Sequence, residues 1–193
     1  GAIQFLAAVA YSQFQSQKVR ESVQTYIKAF ELANKTGHEV EKAKILYDAS
    51  IAYLESGDFQ NAVQMAQNSH DFFKKIGNDL MDMKTHLTMG DGLVKLGQGQ
   101  AAIGNYNSAL DFAQRYNDQM SQILALTGIA TVYEQANDFR NSIQYLNQSL
   151  SIAQKTNVGQ IQKFILELLG NNYEKSGDKK KAKEFRDKAK KIK

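Results

Sequence analysis

The sequence predicts an all-α fold: a solenoid of five helix–turn–helix units, about ten antiparallel helices in all. Three observations carry that prediction. Turn-forming triplets return at a step of 40 residues, at Gly57-Asp58-Phe59, Gly97-Gln98-Gly99, Asn137-Asp138-Phe139 and Gly177-Asp178-Lys179. Three columns of small residues keep the same step: Ser22, Ala62, Ala102, Ser142 and Ala182; Ala29, Ser69, Ala109, Ser149 and Ala189; Ala10, Ser50, Gly90, Ala130 and Gly170. Finally, 193 residues contain no proline, which suits long helices because proline costs about 3 kcal/mol inside one. Self-similarity at a fixed period of this length is the signature of a repeat architecture. A small residue at a fixed place on each helix lets the neighbouring helix axis come close.

The units run over roughly residues 1–38, 39–78, 79–118, 119–158 and 159–193. The first opens on AIQFLAAVAYSQF, apolar but broken by Gln4 and without a basic lead-in. It reads as the first helix of a domain excised from a longer protein, not as a signal peptide. In the second, Leu46, Ala49, Ala52 and Tyr53 form one helical stripe, Gly57-Asp58 breaks it, and Phe59, Ala62, Val63 and Ala66 form the next. Glu39 and Glu41 sit at a helix start, where acids favour the helix dipole. The third unit holds Gly90-Asp91-Gly92 and Gly97-Gln98-Gly99. These superficially suggest a phosphate loop, but the Gly-Lys-Ser/Thr ending and a preceding strand are missing. Gly92 is expected to soften its helix by up to about 1 kcal/mol relative to Ala. In the fourth, Asp138 stands where Asp58 stands in the second, at the N-cap of the following helix. Second helices are expected to end at Gly37, Gly77, Asn117 and Asn157, residue types that tolerate a left-handed C-cap. The last helix is polar outside Ala182, Phe185, Ala189 and Ile192, as the capping helix of a solenoid must be.

Composition narrows the function. There is no Cys, which excludes disulfides and thiolate metal sites. No stretch reaches the roughly 18 consecutive apolar residues of a membrane span. The formal charge of +4 is uneven. Residues 175–193 hold ten basic and three acidic side chains, and the rest of the chain is net acidic by three. A nucleic-acid binder would spread its basic residues along a face; this pattern reads as a solvated terminal helix, with an anionic partner or surface as the alternative. Absent signals and cysteines point to the cytoplasm. The exposed end of a truncated solenoid offers a surface for self-association. His38, His70 and His86 show no His-x3-His spacing. His86 shares the column of Leu6, Leu46, Leu126 and Leu166 and is expected to be packed; His38 and His70 are expected at the surface. No catalytic constellation, metal site or cofactor is expected.

The unit resembles a tetratricopeptide repeat (TPR). Leu166-x2-Leu169-Gly170-x2-Tyr173 matches the repeat's opening with Leu in place of Trp. Leu126-x2-Ile129-Ala130-x2-Tyr133 and Leu46-x2-Ala49-Ser50-x2-Tyr53 follow it more loosely, and Ala102-x3-Tyr106-x2-Ala109 meets the later positions. The period is 40 residues instead of 34, and the terminal Pro is absent, as expected if helices run on through Lys74, Gln114 and Gln154. The resemblance implies a right-handed superhelix across the whole chain, with ligands on a concave face lined by first helices. Carried over residue by residue, that groove comprises Tyr11 and Phe14; Lys44, Tyr47, Asp48 and Ile51; Lys84, Leu87, Thr88 and Asp91; Thr127, Thr131 and Glu134; and Glu167, Asn171 and Glu174. The Lys and Asn set with which chaperone co-factors grip a C-terminal carboxylate is missing in every register.

Glu41-Lys42-Ala43, Tyr47, Ala52-Tyr53, Phe59 and Ala62 also resemble the long-period repeats of the Rap family of Bacillus quorum-sensing receptors, which bind short secreted peptides. The phosphatase activity of that family is associated with an N-terminal helical bundle that has no counterpart before these repeats, so this chain is not expected to be an enzyme. Long-period repeats also occur in eukaryotic polarity and G-protein adaptors. The leading expectation is a protein- or peptide-interaction module that takes a segment with basic and apolar residues, with no small-molecule substrate and no nucleic acid. The alternatives are a peptide-sensing regulatory domain of a Rap-like receptor and, from another class, a fragment of an enzyme or hydrolase regulator.

Overall fold

A computed structural model describes residues 1–156 and 158–192. Among them it contains ten α-helices and no strand: α1 Ala2–Gln15, α2 Val19–Thr36, α3 Glu39–Ser56, α4 Phe59–Lys75, α5 Asp79–Lys95, α6 Gly99–Arg115, α7 Gln119–Gln135, α8 Phe139–Ala153, α9 Gly159–Lys175 and α10 Lys179–Lys191. No described helix is long and apolar enough to cross a membrane.

The helix boundaries follow from backbone chemistry at a step of 20 residues. Gly37, Gly57, Gly77, Gly97 and Gly177 all have positive φ, between 68° and 89°. Asn117 and Asn137 adopt the same left-handed conformation at φ 53° and 58°. These residue types reverse the chain at little steric cost. Gln17 is the exception: it takes φ 61° with neither glycine's freedom nor asparagine's short side chain. Asn157, expected to continue the series, lies outside the described residues. Side-chain caps then start the next helix. Asp58 accepts from the Asn61 N–H at 3.2 Å and Asp138 from the Asn141 N–H at 3.1 Å, as the sequence predicts. Asn78, Asp118 and Asp178 do the same for α5, α7 and α10. Lys74 and Gln114 lie inside their helices, whereas α8 stops at Ala153 and leaves Gln154 at the cap in helical dihedrals.

All fifteen small-residue positions are buried. Their role is close helix approach. The Ser22 hydroxyl donates to the Ala10 carbonyl at 2.8 Å, and Ser69 to Ala43 at 2.9 Å. Each bond ties a second helix to the backbone of the first.

The chain clusters into two compact units, residues 1–101 and 102–193. In the first, each of α1 to α4 packs on the next, and α1–α3 and α3–α5 also touch, so that α1, α3 and α5 form one layer. Its core includes Ile3, Ala10, Tyr26, Ala29, Ala33, Ile45, Ala49 and Ala52. In the second unit α7 packs on α8, α8 on α9 and α9 on α10, around Ile123, Leu146, Leu150, Ile165, Leu166 and Leu169. The charged α10 buries only Ala182 and Ala189. Its Phe185 stacks on Tyr173 with ring centres 5.2 Å apart. That satisfies the apolar edge of α9 and turns a lysine-rich face to water.

Two glycines serve packing. A Cβ on Gly128 would stand 2.4 Å from the buried Tyr106 ring. A Cβ on Gly92 would stand 2.6 Å from a Val63 methyl. Gly92 is therefore a close-contact residue between α4 and α5, and its helix-softening cost is outweighed locally by the approach it permits. Gly128→Ala is expected to destabilise the chain by about 1–3 kcal/mol, because the Tyr106 ring must move within a filled core. Gln17→Gly relieves the left-handed strain and should stabilise by about 1 kcal/mol. Urea unfolding of the two variants beside the parent measures both.

Candidate peptide-binding site

Columns one repeat apart place the predicted groove residues of residues 1–101 on the α1, α3, α5 layer. Tyr11 is exposed and Phe14 half-buried on α1. On α3, Lys44 is exposed, while Tyr47, Asp48 and Ile51 are half-buried. On α5, Lys84 and Leu87 are half-buried, Thr88 is buried and Asp91 is exposed. Tyr47 and Thr88 share a hydrogen bond that joins α3 to α5. The Thr88 hydroxyl also reaches the Lys84 carbonyl at 3.1 Å.

Asp48 is the electrostatic centre of this face. Burial pushes its carboxyl up to about 6, against the opposing pull of Lys44 and Lys84. Among the described residues no cation stands within ion-pair distance of it. Its charge also raises Tyr47, after burial, and Asp91 adds to the effect. Tyr26 is raised by burial first, then by Asp48 and Tyr11. This tyrosine belongs to α2 and is almost wholly buried, at 2% exposure. Sequence reasoning did not place it at the site, because only first-helix positions carry over from the repeat pattern.

In residues 102–193 the predicted residues behave differently. Thr127 pairs its hydroxyl with Ser149 at 3.1 Å, and Thr131 donates to the Thr127 carbonyl. Glu134 forms an ion pair with Lys175 at 2.5 Å and accepts from Asn172 at 3.2 Å. Glu174 accepts from Arg186 at 3.2 Å, and Asn171 accepts from the same guanidinium at 3.3 Å. Glu167 is exposed. The carboxylates of Glu134 and Glu174 are thus already neutralised within the chain, by cations from α9 and α10. Nothing in the 40-residue spacing reveals those partners.

A second polar cluster lies between α4 and α5. Asp82, only 5% exposed, receives a short hydrogen bond from the His70 imidazole through Nδ1. His86 Nε2 is 3.9 Å from the same carboxylate oxygen, and the two imidazole rings are 4.7 Å apart, centre to centre. His86 is packed, as expected. His70 is not a surface residue: its side chain is 12% exposed because the ring folds over Asp82. His38 is exposed, with Nδ1 2.8 Å from the Thr36 hydroxyl. A search for His-x3-His spacing misses this cluster. The legible signal is Asp82-x3-His86, one helical turn on a single face.

Family comparison matches residues 82–155 and, separately, residues 165–193 to the tetratricopeptide repeat. No curated protein sequence matches the chain. Solved structures do. The apo form of RapI superposes with a TM-score of 0.89 at 15% identity, covering 100% of this chain and 70% of RapI. BtubC (BKLC) from P. vanneervenii gives 0.83 at 18% identity, over 98% of this chain and 79% of that one. A Rap protein complexed with Competence and Sporulation Factor gives 0.83 at 18% identity, over 98% of this chain and 53% of that one.

The raised Asp48 carboxyl makes a stability prediction. Its protonated form is favoured in the folded state, so this group's contribution is complete below the unfolded value near 3.8 and is lost as pH rises through about 6. Asp48→Asn should therefore gain on the parent between pH 4 and pH 7, by at most about 2 kcal/mol, and the gap should close below pH 4. Chemical denaturation across that range checks the sign and the window.

Proposed function

The chain is a tetratricopeptide-repeat protein, and on that premise we propose that it binds a peptide, or an extended segment of a partner, that sets a Lys or Arg beside apolar side chains. The observation that carries this reading is Asp48: a half-buried carboxylate held up to about 6, without an ion-pair partner among the described residues. An uncompensated buried charge is a cost to folding that an incoming cation offsets. Asp91 of α5 adds negative charge on the same side. Tyr11, Phe14, Ile51 and Leu87 supply apolar contact around it, and Thr88 and Tyr47 supply hydroxyls. Lys44 and Lys84 frame the site and favour a ligand with an acceptor, such as a peptide carbonyl, next to its cation. Extended peptides gain affinity from such backbone and pocket contacts together.

A second reading, that the chain is the sensing domain of a peptide-regulated protein, is supported by its likeness in fold to a Rap protein solved with Competence and Sporulation Factor. There the ligand would shift the chain between conformers by its differential affinity for them. Small-angle scattering with a bound peptide distinguishes the two readings: compaction supports the sensor, an unchanged profile supports the plain module.

The binding test uses a panel of short peptides that each carry one Arg or Lys among apolar residues, with Gln-substituted controls. Joint Asp48→Lys and Asp91→Lys substitution is expected to weaken the best binder more than tenfold, and its affinity should fall as pH drops below about 6, where Asp48 takes up a proton. Affinity that survives the double charge reversal in moderate salt would sink the proposal.

A further inference from the structure

Away from the candidate groove, the cluster of His70, Asp82 and His86 has the composition and placement of a transition-metal site. Asp82 and His86 stand one turn apart on α5, and His70 reaches them from α4. Each offers one ligand atom, and all three atoms lie within 4.8 Å of one another. Ligands on a tetrahedral Zn2+ ion with metal–nitrogen bonds near 2.0 Å sit about 3.3 Å apart. His70 and Asp82 are closer than that and His86 is farther, at 3.9 Å from the carboxylate. Side-chain rotations of about an ångström therefore convert the hydrogen-bonded trio into a coordinating one, with both helices in place.

We propose that His70, Asp82 and His86 bind one divalent transition-metal ion, Zn2+ or a close relative, which clasps α4 to α5. Several observations converge. The carboxylate is 5% exposed, and the two imidazole side chains are 12% and 14% exposed, so the ligands are mostly withdrawn from water. Two nitrogen donors and one oxygen favour Zn2+, Co2+ or Ni2+ over Mg2+ or Ca2+, which prefer all-oxygen shells. The ligating His70 is a neutral imidazole with its proton on Nε2, so binding exchanges the Nδ1 proton for the cation by a tautomer shift through solvent, and the cation takes its place beside the Asp82 oxygen. A fourth position stays open to water, as in three-ligand sites. α4 is the second helix of one unit and α5 the first helix of the next, so the ion would brace the joint between two repeats. These three residues are separate from the peptide face, so the proposal stands or falls independently of the binding function.

The test is metal titration of the whole chain after chelation. ZnCl2 should raise the melting temperature by about 5 °C or more at saturation, and MgCl2 should not. CoCl2 should give the visible absorption of a tetrahedral ion with one Co2+ per chain. His86→Gln and His70→Gln, each folded by circular dichroism, should lose both signals, while His38→Ala keeps them. Absence of the Co2+ bands in the parent, or a Zn2+ shift that persists undiminished in both Gln variants, would overturn the site.

Discussion

Close approach of helices at columns of alanine, serine and glycine underlies the rest of the structure. Where a serine fills such a column, the neighbouring backbone comes within hydrogen-bonding reach of its short side chain. Ser22 on Ala10 and Ser69 on Ala43 are the clearest instances. At Gly128 the Tyr106 ring occupies the space a Cβ would need, so even alanine would force that ring to move. Larger residues would separate the helices and expose the stripes between them. In a repeat chain each unit contacts only its neighbours, so a failure at one column is not compensated by distant packing. Among the described residues, the left-handed residues that recur at a step of 20 positions serve the same end, since they reverse the chain in short turns and keep the small columns in phase.

The same geometry creates the candidate site. Packing α1, α3 and α5 side by side leaves a face whose side chains are neither core nor free surface. Asp48 is caught in that position: dry enough for its carboxyl to be raised, yet without a cation at ion-pair distance among the described residues. Elsewhere the chain resolves similar charges internally, as Lys175 does for Glu134 and Arg186 for Glu174. The contrast between these carboxylates is the reason the proposed basic ligand is assigned to the first unit.

The chain's fold was largely legible in advance, because fold-defining information in a repeat is redundant. A small residue read at 22 is read again at 62, 102, 142 and 182, and accidental features average out. Function is written once, without repetition, and is correspondingly harder to read. Gly92 reads as a weak point in a helix, whereas in the fold Val63 packs against it. His70 reads as a surface residue in the sequence, whereas in the fold its ring covers Asp82.

The amino-acid sequence by itself determined the helices, their caps and their turns, because each depends on residues within one or two turns of one another, and the small columns, because the 40-residue step repeats them. Local backbone preference and helical periodicity are short-range physics, and a sequence displays them directly. Only the tertiary structure decided which carboxylates are neutralised, that Tyr26 from a second helix lies beside Asp48, and that His70, Asp82 and His86 meet across two helices. Those facts depend on side-chain distances between separate elements, where a shift of a few ångströms turns an ion pair into an isolated charge.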